Sequence, residues 1–191
     1  MPSPVADLLE ALASALQPLG APWYLFGAQA ALLYGAARLT ADVDVTVELG
    51  DRPIAQLLET LGAGGFKPRV RDVDDFVART RVVPLEHVAT GMPLDVVLAG
   101  PGLETIFFER RRERILDGVR VPVASPEDVV VMKVLAGRPK DADDVVAILA
   151  ADAALDLGII RETLGLLERA LDQSDLLPAL ETLLERARRT T

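Results

Sequence analysis

Cysteine is absent from the 191 residues, and histidine occurs once, at His87. The first absence excludes a disulfide framework and a thiolate zinc site; the second excludes a histidine-rich metal centre. Any metal held by this chain must therefore be bound through oxygen, and 29 Asp and Glu residues supply it. Aromatic residues make up 4% of the chain, too few for the stacking surfaces of a dedicated single-strand binder. The net charge of −9 is opposite in sign to the basic surface that drives non-specific nucleic-acid binding, although it leaves room for a local basic patch. No run of 18 or more apolar residues occurs, and no basic leader precedes an apolar core at the start. A soluble, cytoplasmic protein with no membrane partner is expected.

What is present in quantity is apolar residue, 50% of the chain, enough for one sizeable core and short of two full domains. The expected organisation is a core over residues 1–150 with a leucine-rich helical extension over 151–191.

The most informative stretch runs from Trp23 to Glu48. Trp23 to Phe26 is a short aromatic and apolar run that reads as a strand, Gly27 breaks it, and Ala28 to Tyr34 favours helix. From Asp42 to Glu48 polar and apolar residues alternate without a break, the period of a half-buried strand. Asp42 and Asp44 then share one face, with Cα atoms ~7 Å apart, and the valines anchor the other. Two carboxylates so placed either line a solvated strand face or share a hard cation such as Mg²⁺, which takes one or two carboxylates and keeps positions for water and phosphate. Backbone N–H groups at a helix start after Gly27 suit a phosphate.

Phe26-Gly27-Ala28, the 13 residues 29 to 41, and then Asp42-Val43-Asp44-Val45 resemble the hG[GS]-x9-13-Dh[DE]h signature of the polymerase-beta-like nucleotidyltransferase superfamily. Ala28 departs from the usual Gly or Ser and removes a hydroxyl contact to phosphate. The longer string Gly27-Ala28-Gln29-Ala30 with Arg38, Thr40, Asp42 and Asp44 is similar to AbiEii-type and related small bacterial nucleotidyltransferases, many of them toxins of toxin-antitoxin pairs.

Elsewhere, Ser3-Pro4 starts a helix with Leu8, Leu9, Leu12 and Leu16 on one stripe. Pro53 to Leu61 forms another, and Pro68 confines a strand over 66–70 to a sheet edge. Arg69, Arg71, Arg79 and Arg81 surround Asp72, Asp74 and Asp75 and read as a solvated surface with local ion pairs, the alternative being a contact to triphosphate or acceptor. Residues 81–88 and 94–99 read as a hairpin. Asp95 lies inside its second strand, where a buried carboxylate wants a partner or a cation; the resemblance places a third acidic residue on a later strand, and Asp95 matches by context. His87 reads as structural. Residues 104–116 are expected to be helical, carrying the basic block Arg110, Arg111, Arg112 and Arg114 as a solvated face or a phosphate contact. Asp117-Gly118 is a turn and 119–123 a strand.

Ser125-Pro126-Glu127-Asp128 is a helix start and Gly137 its stop. Lys133 between them either snorkels to water or has the role a second resemblance implies. SPEDVVVMKVLAGRPKDADDVVAIL is similar to the second characteristic block of the AbiEii-type enzymes, by which Lys133 would bind nucleotide phosphate and Asp141, with Arg138 or Lys140, would organise one side of the site.

The resemblance implies an α+β fold, a small mixed sheet flanked by helices with C-terminal helices, and transfer of a nucleoside monophosphate from an NTP to an acceptor hydroxyl. Asp42, Asp44 and Asp95 would hold Mg²⁺ or Mn²⁺ or act on the acceptor proton; Gly27, Ala28, Arg38, Thr40, Lys133, Arg138, Lys140 and Asp141 would bind the nucleotide. The acceptor is left open among tRNA, protein and small molecule, and a cognate antitoxin is an expected partner if the chain is a toxin. A non-catalytic binding protein of the same fold and an antibiotic-type nucleotidyltransferase are the alternatives.

Overall fold

The computed structural model describes all residues except Met1, Pro2, Arg38, Leu39, Ala41, Pro101, Ala153 and Thr191, and the side chain of Leu103. By its internal contacts the chain divides into two compact units, one built from residues 1–26 and 40–124, the other from 27–39 and 125–191.

The first unit contains a seven-stranded mixed sheet. Its strands are β1 (Trp23–Phe26), β2 (Val43–Val47), β3 (Phe66–Pro68), β4 (Val82–His87), β5 (Met92–Leu98), β6 (Arg112–Leu116) and β7 (Val119–Val123), in the order β3-β4-β5-β2-β1-β7-β6. β2 is central because it is apolar where it must be: Val43, Val45 and Val47 are fully buried, Thr46 nearly so, and Asp44 is half-buried. It pairs antiparallel with β1 and parallel with β5. β3, with its proline, lies at the edge. Helix α1 (Pro4–Leu16) starts on Ser3, whose Oγ accepts the Ala6 N–H at 3.2 Å, and buries Leu8, Leu9, Leu12 and Leu16. It packs on α3 (Ile54–Ala63) and on the sheet.

Two segments of this unit add to the sequence reading, the first where it gave no structure and the second where it expected helix throughout. Residues 73–80 are helical (α4, Val73–Thr80), begun by Asp72, whose side chain accepts the Asp75 N–H, and ended at Arg81 in the left-handed region. The helix expected over 104–116 stops early: α5 covers Leu103–Arg110, and Arg112–Leu116 is strand β6. The cause is the turn that follows. Asp117 and Gly118 take φ of 48° and 91°, both positive as a type I′ turn requires, and fold β6 antiparallel onto β7. The arginine block is thus split between a helix end and an edge strand.

The second unit is helical among its described residues: α2 (Gly27–Leu33), α6 (Pro126–Ala136), α7 (Pro139–Ala151), α8 (Leu157–Leu171) and α9 (Leu176–Thr190). α6 is its axis. The run Val129-Val130-Val131 is apolar and buried on all its faces, so neighbours must cover it; α2, α7, α8 and α9 pack on the helix. Ser125 Oγ accepts the Asp128 N–H at 3.1 Å and Gly137 ends the helix. Gly35, at φ 106°, lies so close to the end of α7 that a Cβ there would stand 2.5 Å from that of Ala151.

Candidate functional site

In the first unit strand register brings two of the candidate carboxylates together. Asp44 on β2 is the register partner of Asp95 on β5, so the two carboxylates project from the same face of adjacent parallel strands, whose spacing is ~4.8 Å. Asp42 lies one residue ahead of β2, exposed, its N–H donated to Thr40 Oγ1 at 3.3 Å. Thr40 therefore acts on the approach to the strand.

Asp95 has a cationic partner that the sequence reading assigned to the solvated surface. Arg69, the residue after β3, donates its N–H to the Pro84 carbonyl at 2.9 Å and its Nε to the Leu85 carbonyl at 2.9 Å. Its terminal nitrogen lies 2.5 Å from Asp95 Oδ1, and both side chains are 36% exposed. The guanidinium is thus tied to β4 while it holds a carboxylate on β5. Its neighbours in sequence behave differently. Arg79 makes an exposed pair with Asp75 one helical turn away, and Arg81 donates to the Leu98 carbonyl at 2.9 Å and to that of Ala99.

Whether a divalent cation suits this place is decided by the donors. They are carboxylate oxygens only, the chemistry Mg²⁺ and Mn²⁺ prefer. Among the described residues no group of three or more Asp, Glu, His or Cys side chains is placed to hold a metal ion, and Asp95 gives one oxygen to Arg69. Mg²⁺ does not need a cage, since it takes one or two carboxylates and completes its shell with water and phosphate. The carboxylates placed for that smaller requirement are Asp42, exposed just ahead of β2, and Asp44, half-buried on it.

The second unit holds a separate cluster. Lys133, on enclosed α6, is 5% exposed. Its Nζ lies 3.2 Å from Asp141 Oδ1 and 2.7 Å from Asp144 Oδ2, two carboxylates three residues apart on one face of α7. Arg138 Nε adds a contact to Asp141 Oδ2 at 2.5 Å from its exposed position. Two cations and two anions close the cluster. Burial pushes the Asp141 carboxyl up, but the hydrogen bond from Arg138 and the charge of Lys133 outweigh it and hold the group below the ordinary carboxylate value. The lysine does not snorkel: its ammonium is buried and ends on the two carboxylates instead. Asp144 went unread in the sequence; its signal was the three-residue spacing from Asp141.

The remaining candidates lie on other elements. Gly27, at φ 67°, opens α2, a helix of seven residues, and Ala28 is buried at 8% exposure. Lys140 is exposed on the first turn of α7. Arg38 lies outside the described residues. His87 is buried against Phe66 and bonded through Nδ1 to Thr90 Oγ1 at 2.9 Å, a structural setting.

Comparison with known proteins assigns the fold. No curated protein matches the chain. Among solved structures it is similar to an antigenic nucleotidyltransferase-like protein from Paracoccidioides brasiliensis, at 18% identity and TM-score 0.57 over 97% of this chain and 94% of that one. It is similar to ANT(2")-Ia, solved in complex with adenylyl-2"-tobramycin, at 16% identity and TM-score 0.53 over 98% and 99%. It is also similar to the lincosamide antibiotic adenylyltransferase LnuA, lincomycin-bound, at 14% identity and TM-score 0.52 over 76% and 96%. At these identities the likeness is one of fold. A family model, described as nucleotidyltransferase of unknown function (DUF6036), matches residues 7–169. With most of its length so matched, the chain belongs to that nucleotidyltransferase family.

Proposed function

We propose that this chain transfers a nucleoside monophosphate from an NTP to an acceptor hydroxyl in a reaction that needs Mg²⁺ or Mn²⁺. The observation that carries the reading is the register of Asp44 against Asp95 on neighbouring parallel strands, with Asp42 at the head of the same strand. Asp42 and Asp44 hold the cation. When bound, the ion neutralises charge on the triphosphate oxygens and lowers the cost of displacement at phosphorus. Asp95 takes the proton of the acceptor hydroxyl as its oxygen bonds to the α-phosphorus; the bond from that phosphorus to the bridging oxygen breaks, and pyrophosphate leaves with the electron pair.

The test incubates purified protein and Mg²⁺ with each labelled NTP in a cell lysate, alongside Asp44→Asn. Label entering RNA, protein or small-molecule fractions with the parent and not the variant supports transfer and names the acceptor class. NTP binding without labelling of any fraction favours a non-catalytic member of the fold.

A further inference from the structure

We propose that Arg69 is a positioning residue for Asp95, holding Oδ1 of that carboxylate so that Asp95 serves as a proton acceptor and not as a strong second ligand to the metal. The inference rests on the reading of Asp42 and Asp44 as the cation site. Its basis is the way Arg69 is built into the sheet. The backbone pairing of β3 with β4 continues one residue beyond Pro68, through the Arg69 N–H on the Pro84 carbonyl. That carbonyl belongs to the register partner of Asp95. The side chain then runs across β4, spends Nε on the Leu85 carbonyl and reaches Asp95 with its terminal nitrogen. A forked, planar cation presents separate nitrogens to the two acceptors, whereas a lysine carries its three donors on a single nitrogen.

The consequence is electrostatic as well as geometric. Asp44 and Asp95 side by side would present two charges to a cation and repel each other without one. With Arg69 engaged, the Asp95 charge is matched and one of its oxygens is withdrawn from coordination. The remaining Asp95 oxygen keeps a fixed direction, as a base must to meet a hydroxyl proton within hydrogen-bond reach.

Mn²⁺ titration of the full chain tests this without reference to turnover, followed by calorimetry or by the electron-paramagnetic signal of the free ion. Arg69→Gln is expected to tighten Mn²⁺ binding by roughly 3- to 10-fold, the scale of one partly exposed charge near the ion. In an Asp95→Asn background the same change is expected to lose most of that gain, because the carboxylate it released is gone. Arg69→Lys, which keeps the charge and loses the fork, should show a smaller gain with the same dependence on Asp95, and it reads the outcome if Arg69→Gln does not fold. An equal gain in both backgrounds, or none in either, overturns the assignment and leaves Arg69 a sheet-edge tie. Failure of the parent to bind Mn²⁺ removes this inference and the metal reading together. Binding that is lost in Asp44→Asn but indifferent to Arg69 removes this inference alone.

Discussion

Asp44 and Asp95 are register partners on parallel strands that neighbour each other in the sheet although α3, β3, α4 and β4 separate them in the chain. Two like charges fixed by strand pairing cannot relax apart as loop residues can. Asp44→Asn is therefore expected to abolish the chelator-sensitive part of NTP binding. Calorimetric titration of NTP with and without EDTA checks it; equal affinity in both for the parent would remove the shared cation from the site.

Lys133 gives a prediction of opposite character. Replacing it with Met leaves Asp141 and Asp144 buried without their common cation, and breaking a buried pair by removing one partner costs ~3–5 kcal/mol. Lys133→Met should thus lower the urea midpoint sharply, whereas removing exposed Lys140 should barely move it. A Lys133→Met protein with the parent's midpoint would show that the cluster contributes little.

The pH dependence of stability follows from Asp141. Its carboxyl is held below the ordinary 3.8, so the unfolded chain takes up a proton before the folded one does. The stabilisation is complete above the unfolded value and is lost as pH falls through the lower folded value. Between about pH 5 and pH 3 the parent should lose melting temperature more steeply than Asp141→Asn. Parallel curves would refute the linkage.

Gly35 predicts a local strain. A Cβ there meets Ala151 at 2.5 Å on a backbone of φ 106°, so Gly35→Ala must displace the end of α7 and should destabilise by ~1–3 kcal/mol. Gly62, inside α3 with open space around it, is the control: alanine there should stabilise by ~0.5–1 kcal/mol. Melting of the two variants side by side separates steric conflict from helix propensity.

Local rules made much of this fold legible. The Ser-Pro starts at Ser3 and Ser125, the alternation through Val43, Val45 and Val47, and the hairpin of β4 and β5 are short-range patterns that tertiary contacts reinforce. Residues 112–116 misled because four arginines within five positions suit a helix surface as well as a strand; the turn at Asp117-Gly118 was the deciding signal, and its implication for the preceding strand went undrawn. Other features depend on which strand lies beside which. That Asp95 faces Asp44, and that Arg69 reaches Asp95, follow from register between segments far apart in the chain. Lys133 is a third kind: a lone lysine among valines implies burial only once its helix is known to be packed among others.

The excursion of residues 27–39 out of the sheet unit has a consequence for synthesis. α2 leaves the ribosome soon after β1, but α6 and α7, the helices against which it packs, emerge only after the whole sheet unit has been made. At ~5–20 residues per second that interval is several seconds or more. Throughout it Ala28, Ala30 and Ala31, buried in the finished protein, have nothing to pack on, so the nascent chain carries an apolar segment that only late translation can cover.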